Sequence, residues 1–140
     1  GAELRVEGKL ISKINKGMIV FLGVGVEDTE ENLQKIGKKI ANLRIFEDEN
    51  EKMNLSIKNI GGEILLVSQF TLYGDCSHGN RPSFIMAERP ERANELYLKM
   101  KDYLLSEKIP VQTGIFGADM KIDVLNDGPV TILIDSKNRE

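Results

Sequence analysis

ILLVSQFTL, residues 64–72, is a strongly apolar run that predicts a buried β-strand in this 140-residue chain. A short apolar run bounded by glycine turns is typical of a strand covered on both faces. Near its end the run carries three polar side chains, those of Ser68, Gln69 and Thr71. Buried polar groups need partners, so these side chains form either an internal hydrogen-bond network or the rim of a site. Local sequence alone favours the internal network.

Three further stretches upstream of this run predict strands. Leu4–Val6 and Lys9–Ile14 flank Glu7-Gly8, a pair typical of a two-residue hairpin turn. Met18–Val26 is nearly continuous in apolar residues, which predicts a second strand buried on both faces.

Two segments predict amphipathic helices. Asp28 and Thr29 can cap the first helix, with Glu31 three residues beyond Asp28 as in a capping box. This helix should end near Arg44, and its apolar stripe consists of Leu33, Ile36, Ile40 and Leu43. Pro90 suits the first turn of the second helix. The apolar stripe of that helix consists of Ala93, Leu96, Tyr97, Met100 and Leu104.

The remaining chain alternates loops and short strands. Gly74–Pro82 is polar and contains glycine, which indicates a surface loop. Strand candidates follow at Val111–Thr113, Lys121–Leu125 and Val130–Ile134. Strands outnumber helices, and two helices can cover only one face of a sheet, so the pattern predicts an α/β fold with a curved or double-layered sheet. No linker or repeat interrupts the chain, which predicts a single domain over residues 1–140.

Composition restricts the partners of the chain. A formal charge of −3 and a pI near 5.3 disfavour binding to duplex nucleic acid, which requires a basic face. One cysteine, Cys76, cannot form an internal disulfide, and one histidine, His78, adds too few ligands for a structural zinc site. No apolar run approaches the roughly 20 residues of a membrane helix, and no signal segment opens the chain. We therefore expect a cytoplasmic location and no membrane partner.

Three other segments could carry chemistry. Asn126–Thr131, NDGPVT, is most simply a turn between strands, although proline is also the residue at which a cis peptide bond costs least. Thr113–Met120, TGIFGADM, brackets an apolar pair with glycines and lacks the spacing of a nucleotide-binding loop. Cys76 and His78 would suit a nucleophile and a base, but such pairs usually come from separate chain segments.

Motifs along almost the whole chain resemble the bacterial and eukaryotic D-aminoacyl-tRNA deacylase family. In order, they are residues 42–48 (NLRIFED), 52–56 (KMNLS), 61–63 (GGE), 66–72 (LVSQFTL), 81–84 (RPSF), 113–114 (TG), 116–120 (FGADM) and 126–131 (NDGPVT). Each piece alone is weak, whereas all of them in family order are highly specific. One departure is that members usually begin with an extra strand before the segment matching Ala2–Gly8. We expect that strand, and its arginine near the active site, to be missing here.

The resemblance implies a fold and an assembly. The fold would be α/β, a three-layer, barrel-like double β-sheet with two main helices packed on one face. The chain would form a symmetric homodimer whose active sites lie at the interface, with Ser68–Thr71 facing the Gly128-Pro129 segment of the partner subunit across a cis peptide bond. The partner would be the aminoacylated 3′ end of tRNA, and no metal or organic cofactor is implied.

The resemblance also implies the reaction, which is hydrolysis of the ester that joins a D-amino acid to tRNA. The catalytic segment would be Ser68, Gln69, Phe70 and Thr71. We expect backbone N–H groups near Phe70 and Thr71 to form an oxyanion hole, while Ser68 and Gln69 order the strand. Thr71 is either a covalent nucleophile or a positioning group. Positioning is favoured because no base stands beside it in the sequence.

Substrate binding would involve the wall formed by Gly128 and Pro129. A rigid backbone wall leaves room for a hydrogen but not for an L side chain, so glycyl-tRNA should also be cleaved. Phe84 and Met120 could line the pocket or hold the terminal adenine, and they suit the core equally well. The same holds for Phe116.

Three other functions stay open from the sequence. The first is a different hydrolase that uses His78 or Cys76 against a small ester. The second is a non-catalytic module that binds an RNA end or associates with DNA, which the acidic charge disfavours for duplexes. The third is a structural dimer whose polar strand positions are satisfied core groups.

Overall fold

The computed structural model describes residues 1–137. In chain order the elements are β1 (Ala2–Val6), β2 (Lys9–Ile14), β3 (Gly17–Leu22), α1 (Glu30–Asn42), β4 (Phe46–Glu47), β5 (Met53–Leu55), β6 (Glu63–Ser68), a 3-10 helix (Phe70–Tyr73), α2 (Pro90–Ser106), β7 (Val111–Thr113) and β8 (Met120–Val124).

Strand β6 is the centre of a parallel sheet with the order β3–β6–β7. Its residues Ile64, Leu65, Leu66 and Val67 are each at most 1% exposed. Side chains alternate between the two faces of a strand. Ile64 and Leu66 therefore join the core beneath the helices, whereas Leu65 and Val67 join a second core against β1 and β2. The predicted burial on both faces is confirmed, and it produces three layers.

The outer layer is an antiparallel sheet with the order β2–β1–β8. Its first two strands form the predicted hairpin, in which Glu7 and Gly8 have φ angles of 50° and 78°. Two consecutive positive φ angles are typical of a type I′ turn, which matches the twist of the strands. Leu4 on β1 is wholly buried and fills the core between the two sheets.

Both helices form where the apolar periodicity predicts them, with a difference at the first cap. The Thr29 side chain accepts a hydrogen bond from the Asn32 N–H, and the Asn32 side chain accepts one from the Thr29 N–H. The capping-box partner is therefore Asn32 and not Glu31, because Thr29 is the N-cap residue. All five predicted stripe residues of α2 are buried. Within residues 1–137, neither helix is both long enough and apolar enough to cross a bilayer.

Three predicted strands differ from the structure. Strand β6 stops at Ser68, where its partner β3 stops at Leu22, so the last four residues of the apolar run leave the sheet. Strand β3 ends well before Val26 and lies at the edge of its sheet, which leaves Phe21 41% exposed. Val130–Ile134 forms no strand within the described residues, because none of the described strands pairs with it.

The barrel-like part of the predicted fold is not confirmed. The strands of residues 1–137 form two three-stranded sheets and one two-stranded sheet, none of which is closed. The two larger sheets stack face to face, which gives the double layer. The two-stranded sheet pairs Phe46 with Leu55 and Glu47 with Met53 around the turn at residues 48–52, and the sequence did not predict these short strands.

Candidate functional site

The predicted catalytic segment lies where β6 turns into the 3-10 helix. Ser68 pairs with Leu22, and the Gln69 N–H donates to the Leu22 carbonyl at 2.8 Å. The next bonds are those of the 3-10 helix, with Leu72 N–H donating to Gln69 O at 3.2 Å. The N–H groups of Phe70 and Thr71 precede that first intrahelical bond, so they are the unpaired donors of a helix start. Among the hydrogen bonds of residues 1–137, none uses these two donors.

The side chains of this segment reach the surface. Phe70 is 56% exposed, and Thr71 is also exposed. The Gln69 side-chain amide donates to the Thr71 hydroxyl oxygen, which fixes the orientation of the Thr71 side chain. In the described part of the chain, the Thr71 hydroxyl has no carboxylate or imidazole as a hydrogen-bond partner. The arrangement therefore offers main-chain donors and an oriented hydroxyl, without an adjacent general base.

Phe84 is brought against this segment by a closed loop. Asp75 and Ser83 exchange two backbone hydrogen bonds of 2.7 and 2.9 Å, which close the loop between them. The ring of Phe84 then meets Phe70 edge to face, with centroids 5.2 Å apart and an angle of 70° between the planes. The fold therefore unites Phe84 with the end of β6, although the two are distant in sequence.

Met120 and Phe116 lie elsewhere and pack as core residues. Met120 begins β8, and its sulfur lies so close to Gly114 that a side chain at that position would collide with it. It packs on the core between the two sheets. Phe116 packs on the helix-side core, with its ring centroid 6.1 Å from that of Tyr97. The described contacts of these two residues are accounted for by packing.

The Gly128-Pro129 segment lies exposed on the chain that follows β8. Its peptide bond is cis, as the resemblance predicted. The Asn126 side chain accepts from the Val130 N–H and donates to the Thr131 hydroxyl, each at 3.1 Å, and so closes the turn from both ends. In the sequence, Asn126 stands out only as part of a motif, and nothing local to it predicts this role. Within residues 1–137, no hydrogen bond joins this turn to Ser68–Thr71.

Cys76 and His78, the alternative nucleophile and base, are both exposed in the loop between Asp75 and Ser83. Asp75 bonds the Ser77 hydroxyl at 2.6 Å, and this bond is the main cause that lowers the pKa of the Asp75 carboxyl. Neither Cys76 nor His78 takes part in a hydrogen bond among the described residues. The hydrogen bonds of Asp75 therefore order the loop backbone, but the described contacts do not join Cys76 and His78 into a nucleophile–base pair.

A groove of about 1560 Å³ runs between β3, α1 and the C-terminal segment. It exceeds the ~300–1,000 Å³ of ordinary small-molecule pockets. None of the predicted catalytic or substrate-binding residues lines it, although Leu72, Tyr73 and Gly74 border it. We place the candidate site at the end of β6, because the free main-chain donors and the oriented hydroxyl are there.

Comparison with known proteins gives one family. The family model described as D-Tyr-tRNA(Tyr) deacylase matches residues 1–135. A Clostridium botulinum protein named D-aminoacyl-tRNA deacylase is 57% identical over 136 residues, which cover 97% of this chain and 91% of that protein. A Fusobacterium nucleatum protein of the same name is 53% identical over 137 residues, covering 98% and 91%.

Two solved structures are also similar. One, titled c-Myc DNA Unwinding Element Binding Protein, has a TM-score of 0.91 and 40% identity, and covers 98% of this chain and 93% of that one. Another, titled Structural Analysis of a probable eukaryotic D-amino acid tRNA deacylase, has a TM-score of 0.69 over 87% of each chain. Its 16% identity supports the fold alone. The chain belongs to the D-Tyr-tRNA(Tyr) deacylase family.

Proposed function

We propose that this chain hydrolyses the ester bond of D-aminoacyl-tRNA and releases the free D-amino acid and tRNA. The observation that carries the proposal is the exposed end of β6, where the Phe70 and Thr71 N–H groups have no acceptor among the described residues. The relatives named D-aminoacyl-tRNA deacylase supply the class of substrate.

The free N–H groups act as the oxyanion hole. Water attacks the ester carbonyl, whose oxygen gains negative charge. The carbon–oxygen bond to the ribose then breaks, and the proton lost by the water ends on the ribose oxygen, which leaves as a hydroxyl. Preorganised donors stabilise that charge, and loss of one such donor costs about 10²–10³-fold in rate in other hydrolases. Phe70 and Thr71 present their donors on a strand end held by the Gln69–Leu22 hydrogen bond.

Thr71 positions the reactants and does not attack the ester. An unactivated hydroxyl is a weak nucleophile, and the partner of the Thr71 oxygen is the Gln69 amide, which cannot take a proton. The terminal ribose carries a hydroxyl beside the ester, so the RNA itself can orient or activate the water.

Handedness is read by the Gly128-Pro129 main chain. The L and D forms exchange a side chain and a hydrogen at one carbon, and a rigid wall leaves space only for the hydrogen. A steric cost of a few kcal/mol is sufficient, because about 1.4 kcal/mol is already tenfold. Such a wall does not discriminate between different D side chains. Glycine has no side chain for the wall to exclude, so glycyl-tRNA is also a substrate.

The wall comes from a second copy of the chain. Within one chain no hydrogen bond joins the described turn at Gly128-Pro129 to Ser68–Thr71. Three large apolar side chains beside that turn are exposed, namely Leu125 (75%), Ile132 (51%) and Leu133 (85%). Exposed apolar side chains that lie together are typical of protein–protein interaction sites. In a homodimer these side chains would be covered, and each turn would enter the site of the other subunit.

The proposal is tested with D-tyrosyl-tRNA and two variants of the protein. We expect the wild type to release D-tyrosine, and Thr71→Val to retain measurable hydrolysis because Thr71 only positions. Abolition of hydrolysis in a folded Thr71→Val protein would instead favour the covalent nucleophile. Tight binding of intact D-tyrosyl-tRNA without release would favour the binding module. Sedimentation of Leu133→Lys, which should be monomeric and inactive, tests the shared site.

A further inference from the structure

Asp28 lies at a junction of three chain segments that the proposed reaction leaves unused. Its Oδ2 accepts from the Gly25 N–H at 2.7 Å and from the Tyr73 hydroxyl at 3.1 Å. Its Oδ1 accepts from the Ser136 hydroxyl at 3.3 Å. Both oxygens of one carboxylate are therefore engaged, and only a carboxylate offers acceptors on both of its terminal atoms.

Tyr73 connects this junction to the proposed oxyanion hole. It is the last residue of the 3-10 helix that begins with Phe70 and Thr71. Its ring lies directly on the main chain at Gly25, where an added Cβ would be 2.6 Å from the Tyr73 hydroxyl oxygen and 2.7 Å from Cζ. Only glycine permits this approach, so the position of the ring is set by the Gly25 backbone beneath it and by Asp28 at its tip.

Ser136 connects the junction to the other half of the proposed site. It lies on the C-terminal segment, downstream of Gly128-Pro129. Two neighbours hold the same stretch in place, because Ile134 packs on the helix-side core and Lys137 pairs with Glu27 at 3.0 Å. Asp28 is therefore hydrogen-bonded to both segments that carry the predicted motifs.

Asp28 is itself held firmly. Arg92, in the first turns of α2, donates to the Asp28 carbonyl oxygen at 2.5 Å and to the Glu88 carboxylate at 2.6 Å. The next residue, Thr29, is the N-cap of α1. The Asp28 carboxylate therefore lies where the two helices meet the parallel sheet.

We infer that Asp28 is a positioning residue for deacylation, acting through Tyr73 on the Phe70 and Thr71 donors and through Ser136 on the Gly128-Pro129 segment. The inference rests on the proposed function. Burial, followed by the charge of Asp28, raises the pKa of Tyr73 to about 12, so the phenol remains a hydrogen-bond donor throughout the neutral range. Asp28 contacts no reacting atom, and its effect passes through geometry alone.

The test compares Asp28→Asn, Tyr73→Phe and the double variant in single-turnover hydrolysis of D-tyrosyl-tRNA at 25 °C. Misplacement of reacting groups by a fraction of an ångström lowers rates strongly, so each single variant should be slower by about tenfold. The enzyme concentration that gives half of the maximal rate should change by less than about twofold, because tRNA contacts are untouched. The double variant should be no slower than the slower single variant, because Asp28→Asn already disturbs the only bond that Tyr73→Phe removes.

Lys58→Ala is the matched control, since it removes an ion pair with Glu107 that involves no residue of the junction and should leave the rate unchanged. Tyr73→Phe keeps the ring in place, so it decides the question if Asp28→Asn fails to fold. An active wild type with equally active, folded variants would overturn this inference alone. Additive losses in the double variant would also overturn it. A wild type that does not release D-tyrosine would overturn the proposed function, and this inference with it.

Discussion

Raising the pH above 10 should destabilise the folded protein, because the partly buried Tyr73 must then ionise beside Asp28. Burial and then the negative charge of Asp28 raise the pKa of Tyr73 from 10.0 to about 12. The unfolded chain has the ordinary tyrosine pKa of about 10. The folded state thus holds the proton more tightly, so the stabilisation is fully present below pH 10 and is lost as the pH rises towards 12.

The size of this effect follows from the shift and from the exposure of the side chain. Two pH units correspond to about 2.7 kcal/mol at about 1.36 kcal/mol per unit. Tyr73 is only partly buried, and solvent screening reduces this contribution to about 1 kcal/mol. Phenylalanine does not ionise, so the gap in stability between the wild type and Tyr73→Phe should change by about 1 kcal/mol, to the disadvantage of the wild type, between pH 8 and pH 12.

Urea unfolding of both proteins, followed by circular dichroism from pH 8 to 11.5, measures this gap. Burial also raises the pKa of Tyr97, so ionisation of Tyr97 destabilises both proteins equally. The difference in stability between the two proteins therefore reports on Tyr73. A gap that stays constant across this range would refute the reasoning.

Gly128→Ala should destabilise the protein by about 1–3 kcal/mol, because Gly128 has a φ of 135° and an added Cβ would lie 2.9 Å from Val130 Cγ2; equal urea midpoints would contradict this. Leu66→Ala should cost about 2–5 kcal/mol in thermal unfolding, since Leu66 is 0% exposed. A Cys76→Ser, His78→Ala double variant should hydrolyse D-tyrosyl-tRNA at the wild-type rate, with or without EDTA. Loss of that activity would instead support the small-ester hydrolase or a metal.

Much of the fold is readable from the sequence because burial and periodicity are local signals. Four consecutive apolar residues, 64–67, alternate between two cores, and this alternation requires layers on both sides. The α2 stripe is buried as its 3.6-residue spacing predicts. Where the prediction failed, the cause was non-local. Val130–Ile134 has the composition of a strand but lacks a paired strand among the described residues.

The candidate site was predictable in part. The family motifs marked Ser68–Thr71 and Gly128-Pro129, but apolar composition alone extended the strand through Leu72, where the chain turns. That turn leaves the N–H groups of Phe70 and Thr71 without acceptors among the described residues. Its position depends on where the neighbouring strand β3 ends. The junction at Asp28 was not predictable, because its partners Tyr73 and Ser136 are 45 and 108 residues away in sequence.

The central claim is discrimination by handedness at the end of β6. Its most direct test is the ratio of deacylation rates for D-tyrosyl-tRNA and L-tyrosyl-tRNA on the same tRNA, with glycyl-tRNA as a third substrate. A backbone wall predicts rapid release of D-tyrosine and glycine, with L-tyrosine retained at least about a hundredfold longer. Equal release of both tyrosine enantiomers, or survival of glycyl-tRNA while D-tyrosyl-tRNA is cleaved, would contradict the account.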